Sequence, residues 1–240
     1  MGGAAAVLAG VLLAALAVYY AVAPDLPGLS DWPYVVFVSL ALFPAMFGLV
    51  LLALPLRDRL PSGPLVLAFV TFALLTVLLH VAGFDVAANF TKFAAVVTVG
   101  WWFLLFFEHV SWVVLVALLI VPVDLYSVAQ GPTKVITEEK PQVFDALSIF
   151  FPVPGEQSSA QLGLPDVLFF SLFLAATRRF GLRTRLTWAL MVASFGGTLA
   201  LAVGLGRAGV AALPLLSLAF VAANADLIWR GVVGGRVTRA

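Results

Sequence analysis

Apolar residues fall into eight long stretches along this chain, and polar residues are gathered into the breaks between them. A helix needs about 20 apolar residues to cross the hydrocarbon of a bilayer. Runs of about that length occupy residues 3–23, 34–55, 64–83, 90–107, 110–130, 162–179, 186–205 and 209–229. Most separators are short and turn-like: Pro24-Asp25-Leu26-Pro27-Gly28, Arg57-Asp58-Arg59 with Pro61-Ser62-Gly63-Pro64, and Gly181 among four arginines. Only residues 131–161 form a long polar connection. The pattern predicts an all-α, polytopic transmembrane bundle of about eight spans in one membrane domain, residues 1–240. Residues 1–110 supply scaffold helices, and residues 111–230 carry the polar loop and the candidate chemistry.

Composition supports this reading. Hydrophobic residues make up 63% of the chain and charged residues 10%, against about 25% charged in a soluble domain. Mean hydropathy is +1.12, so the chain cannot cover itself with a polar surface and its first partner is a lipid bilayer. A net charge of +1 argues against a nucleic-acid partner, which demands a concentrated basic face. The absence of cysteine excludes disulfides and thiol nucleophiles. With His80 and His109 as the only histidines, a metal site is not expected and no cofactor is called for.

Ala21-Val22-Ala23 is similar to a signal-peptidase site, but no basic residue precedes the first run and it is long enough to span, so a retained helix is expected. Positive residues stay cytoplasmic. Alternate connections place nine arginines on one side (Arg57, Arg59, Arg178, Arg179, Arg183, Arg185, Arg230, Arg236, Arg239) and four basic residues on the other (Lys92, Lys134, Lys140, Arg207). Both termini are therefore expected inside and the 131–161 loop outside. Abundant Ala, Gly and Arg against three lysines suggest a GC-rich prokaryotic genome, and hence a multi-pass protein of a prokaryotic plasma membrane.

Two acids interrupt the apolar runs. Asp124 precedes Gly131, at the loop-facing end of its run, and Asp166 follows Gln161 near the start of the next. At 1.5 Å per residue each carboxyl lies roughly 8–10 Å below the same membrane face. A carboxyl at mid-membrane costs at least ~2.5 kcal/mol and is by default a functional residue. Two acids at equal depth on consecutive helices can share a proton, which suits aspartyl peptide hydrolysis. The same acids could also bond a neighbouring helix, cap a helix start or relay protons; Asp166, after Pro165, suits a helix start.

The local sequences favour the first role. Val123-Asp124-Leu125-Tyr126-Ser127-Val128, with Gly131-Pro132-Thr133-Lys134-Val135 after it, resembles the first catalytic segment of presenilins. Leu162-Gly163-Leu164-Pro165-Asp166-Val167 resembles their second, and Ala211-Ala212-Leu213-Pro214 their Pro-Ala-Leu signature. The resemblance covers residues 115–225, in the family's order. It departs at Val123, where the family has an aromatic, at Pro165, where it has glycine, at Ala211, where it has proline, and in span number, eight against nine.

Kinship with presenilins and signal peptide peptidases implies an intramembrane aspartyl protease acting on transmembrane helical peptides or remnant signal peptides. It makes Asp124 and Asp166 the catalytic dyad and places Gly163, Leu164, Ala212, Leu213 and Pro214 against the substrate. Pro214, read as lying inside the last span, would free an upstream carbonyl and create a backbone edge for an unwound substrate. Two alternatives use the same acids: a proton-coupled membrane transporter, and a non-proteolytic relative that only binds membrane helices. Elsewhere, Asp226 is expected in an interfacial ion pair, Glu108-His109 in a solvated turn and Gly196-Gly197 at a close helix contact. Asn89-Phe90-Thr91 matches a glycosylation acceptor.

Overall fold

The computed structural model describes residues 2–130, 141–156, 159–206 and 210–233. Helix α1 covers Gly3–Val22. The second span runs through α2, Asp31–Phe37, a π-helical turn at Val38–Leu42 and α3, Phe43–Arg57. Helices α4, Ser62–Val81, α5, Asp85–Phe103, and α6, Val110–Ala129, follow. A short helix α7, Pro141–Ala146, precedes an antiparallel hairpin of β1, Ser148–Pro152, and β2, Ser159–Gly163. The chain then enters α8, Leu164–Arg179, α9, Thr184–Gly204, and α10, Leu213–Val233.

The protein is an all-α polytopic bundle, and seven helical segments are long and apolar enough to cross a membrane. The eighth predicted span is α8, which is short and differs from the others. It buries Val167 and then every residue from Phe170 to Thr177, the signature of a helix enclosed on all faces. It packs on α3, α5, α6, α9 and α10. By contrast, α4 buries only Leu65, α6 only Val113 and Ala117, and α1 only Leu16 and Tyr20. Their large apolar side chains face outward (Leu67, Leu74, Val77, Leu118, Leu119, Val11), as lipid contact requires.

Aromatic packing ties the centre together. Phe170 of α8 lies 4.3 Å from Phe47 of α3, which stacks 4.9 Å from Phe195 of α9. Phe173 stacks 4.7 Å from Phe220 of α10. Small residues set the closest approaches, as in lipid they must. A methyl group at Gly196 would sit 2.7 Å from the Ser39 hydroxyl, so the expected close contact is made there, against the π-helical turn. Gly197 has no such neighbour closer than 4.0 Å. The tightest approach, at Gly100, joins α5 to α8.

Three expectations are corrected. The loop predicted to be polar is not wholly so: the hairpin buries Ile149 and Phe151, with Phe151 5.0 Å from Phe43 of the bundle. The sequence Ser148-Ile149-Phe150-Phe151 is as apolar as a span but too short to be one. Pro214 does not kink a span, because α10 starts at Leu213 and Pro214 occupies the second helical position, where no intrahelical donor is needed. Asn89 is fully buried and holds the hairpin backbone, so it is no glycosylation acceptor. Segment Gly131 to Val135 lies outside the described residues.

Replacing Gly100 by Ala would bring a methyl group to 2.6 Å from the Leu168 carbonyl oxygen and into the Ser171 hydroxyl. We expect Gly100→Ala to lower stability by about 1–3 kcal/mol, read as a lowered thermal unfolding midpoint. An unchanged midpoint would show that α5 and α8 are free to part.

Candidate active site

A 16-residue helix is ~24 Å long, short of the ~30 Å hydrocarbon core. A helix of that length with its arginine-bearing end at one interface would begin below the opposite one. Asp166 stands in its first turn, after Pro165. The hairpin leads directly into this helix-start acid. Pro165 fits without strain, since its fixed φ suits the first helical turn. Proline at this position is thus compatible with the local backbone.

Gly163 ends β2 and is the residue from which α8 starts, and the Asp166 carboxylate turns back towards it. A carboxylate in the first turn of a helix is stabilised by the orphan donors there. A methyl at Gly163 would lie 3.1 Å from Asp166 Oδ2, so any side chain at 163 would crowd the acid. Leu164, half-buried, donates its N–H to the Leu147 carbonyl at 2.9 Å, which prolongs the hairpin ladder to the edge of the site.

Asp124 lies on α6, two residues beyond Pro122. Its Oδ2 accepts the Leu213 N–H at 3.2 Å. Leu213 is the first residue of α10, so Asp124 caps a helix other than its own. The two carboxyls therefore occupy equivalent places, each at the positive end of a helix dipole. They also lie within electrostatic reach of one another. Ala212 and Leu213 are buried beside them, and Pro214 is half-buried. The structure thus gathers Asp124, Asp166, Gly163, Leu164 and Leu213 at the hairpin end of the bundle. The Leu213 donor, however, is occupied by Asp124 and is not part of an open backbone edge.

An open edge exists elsewhere, and it was not foreseen. In an antiparallel pair, alternate residues turn their backbone groups outward. On β1 these groups are taken by helix side chains. Asn89 of α5 accepts the Phe150 N–H and donates to its carbonyl, both at 3.1 Å. Tyr20 also donates to Phe150 O at 2.7 Å, Tyr19 to Pro152 O at 2.6 Å, and Lys92 to Ser148 O at 2.8 Å. Helix α1 is thereby part of the site's framework. Phe150 faces Gln161 in the register, so the backbone groups of Gln161 turn outward on the other side. Strand β2 pairs only with β1 among the described residues, and Gln161 is exposed. This edge runs directly into Gly163 and Asp166.

The remaining candidates have structural partners. Arg183 holds Asp226 through both guanidinium nitrogens, the second at 2.7 Å, confirming an ion pair but with a partner two helices' ends away in sequence. Asn224 is fully buried and bonds the Arg183 N–H and the Thr187 hydroxyl. His80 meets Asp85 at 2.7 Å across the α4–α5 turn. Glu108 is exposed, whereas His109 is half-buried. No family model, curated protein or solved structure matches this chain.

Because the chain has no cysteine, the convergence of the acids can be read directly. Cysteines placed at 124 and 166 should be joined by a short bis-methanethiosulfonate reagent in native membranes. A control pair at 123 and 166 should not be, since Val123 faces outward. Equal cross-linking of both pairs would remove the case for a shared site.

Proposed function

We propose that this chain is an intramembrane aspartyl protease that hydrolyses peptide bonds in transmembrane segments or remnant signal peptides. What supports the reading is that Asp124 of α6 and Asp166 of α8 come within electrostatic reach of one another, beside a strand edge unpaired among the described residues. One acid, ionised, takes a proton from water; the other, protonated, hydrogen-bonds the scissile carbonyl. The water oxygen bonds to the carbonyl carbon, the C–N bond breaks, and the leaving amine takes a proton from the dyad. Neither step calls on a cysteine, histidine or metal. Positive helix ends at α8 and α10 offset the negative charge carried by the pair.

A substrate helix must unwind to be cut, and its freed backbone groups then need partners in a medium that supplies none. The open edge of β2 offers them by strand addition. Pairing at Gln161 would lead the substrate backbone past Gly163 onto Asp166, which explains why a residue without a side chain suits position 163. The arginine asymmetry supports placing this face outside and both termini in the cytoplasm of a prokaryotic plasma membrane. One observation favours the rival reading of a helix-binding protein without hydrolysis: both acids already sit at helix starts, a placement that by itself stabilises a fold.

The full chain in liposomes, given a labelled single-span peptide, tests this. Two products should form, with one oxygen from isotopically labelled water in the new carboxyl terminus. Asp124→Asn and Asp166→Asn should each lower cleavage by at least about a thousandfold while the protein stays helical and inserted. The rate should follow a bell-shaped pH profile, as a proton-sharing pair titrates in two steps. Undiminished cleavage by both variants would refute the assignment. Peptide capture without products, equal in wild type and variants, would establish the binding-only reading.

A further inference from the structure

The face opposite the hairpin holds a feature that the protease reading does not use. Helix α3 ends at Arg57 and α8 at Arg178 and Arg179. Two acids of this face are already paired, Asp58 with Arg178 at 2.6 Å and Asp226 with Arg183. Arg57 is half-buried, and its Nε and Nη2 are buried with no acceptor among the described residues. Its strongest charged neighbour is Arg179, ahead of Asp58. Arg179 is itself fixed, with Nη1 donating to the Leu104 carbonyl at 2.7 Å and its guanidinium 5.6 Å from the Phe180 ring centroid.

Two like charges held together, one with unpaired buried donors, are costly unless an anion compensates them. The chemistry of the free donors indicates which anion. Nε and Nη2 form one edge of the guanidinium fork, with two parallel N–H groups that match two oxygens of a phosphate. The position fits as well: both arginines lie in last helical turns, where the apolar stretches of α3 and α8 end. Leu56, which precedes Arg57, and Phe106, two residues beyond the Leu104 that Arg179 bonds, are both exposed apolar side chains.

We propose that Arg57 and Arg179 form a binding site for a phosphate-bearing anion, either an acidic phospholipid headgroup or free phosphate. Thermal unfolding of the purified full chain in mixed micelles tests it, with phosphatidylglycerol, phosphatidylcholine and inorganic phosphate as probes. Wild type should melt at least about 3 °C higher with phosphatidylglycerol than with phosphatidylcholine. Arg57→Met and Arg179→Met should each abolish that shift, and the exposed control Arg59→Met should keep it. Arg57→Lys, which preserves charge but lacks the two-nitrogen edge, should lose most of it.

Without an acidic probe, Arg57→Met should melt at or above wild type, since it removes an uncompensated charge; a purely structural arginine would give the opposite sign. Protection by inorganic phosphate as well as by the lipid assigns the site to phosphate in general, and protection by the lipid alone to a headgroup. An unprotected wild type, a shift that survives in Arg57→Met, or an equal loss in Arg59→Met would overturn the proposal. None of these readouts depends on peptide cleavage, so they stand apart from the fate of the protease reading.

Discussion

Backbone N–H and C=O groups at membrane depth must find partners within the protein, because hydrocarbon supplies none. Along one side of the hairpin between α7 and α8 this demand is met by helix side chains. Asn89 occupies the place of a third strand, giving and taking one hydrogen bond at Phe150. Tyr19, Tyr20 and Lys92 satisfy the neighbouring carbonyls. These side chains come from α1 and α5, so the scaffold half of the chain is what permits strands to lie beside the acids. The opposite edge, at β2, is left for something else to complete.

The same demand places the acids. Helix starts expose donors, and two of the bundle's starts, those of α8 and α10, lie near each other at the hairpin end. Each has a carboxylate turned towards it, Asp166 from within its own helix and Asp124 from α6. Capping and the proposed catalysis are not competing explanations. The donors that stabilise a carboxylate at rest also hold it in position, and the cost of two adjacent negative charges is what makes proton sharing favourable.

The two faces of the molecule use charge differently. At the hairpin face the Asp124 carboxylate accepts a backbone N–H, and Asp145 and Asp85 accept from the neighbouring side chains Gln161 and His80. At the opposite face arginines dominate, and ion pairs with Asp58 and Asp226 tie helix ends that are far apart in the chain. Arg57 and Arg179 remain as an excess of positive charge set against lipid, and this distinguishes them from the paired arginines beside them.

Seven of the spans, and the apolar runs that carry the two acids, could be read from the residues alone, because transfer of apolar or charged groups into hydrocarbon is a local cost that adds along the chain. The tight contact at Gly196 was legible for the same kind of reason: two glycines in a span have few other uses. The partner of each buried polar group was not legible. Asn89 looked like a surface acceptor, Pro214 like a kink, and Ser148-Ile149-Phe150-Phe151 like part of a polar loop, until residues about 60 positions away supplied the missing bond or boundary. Likewise, nothing local relates Arg57 to Arg179, which meet only because α3 and α8 end side by side. Hydrogen-bond pairing and charge proximity depend on distances between segments, and those are set by how the helices pack.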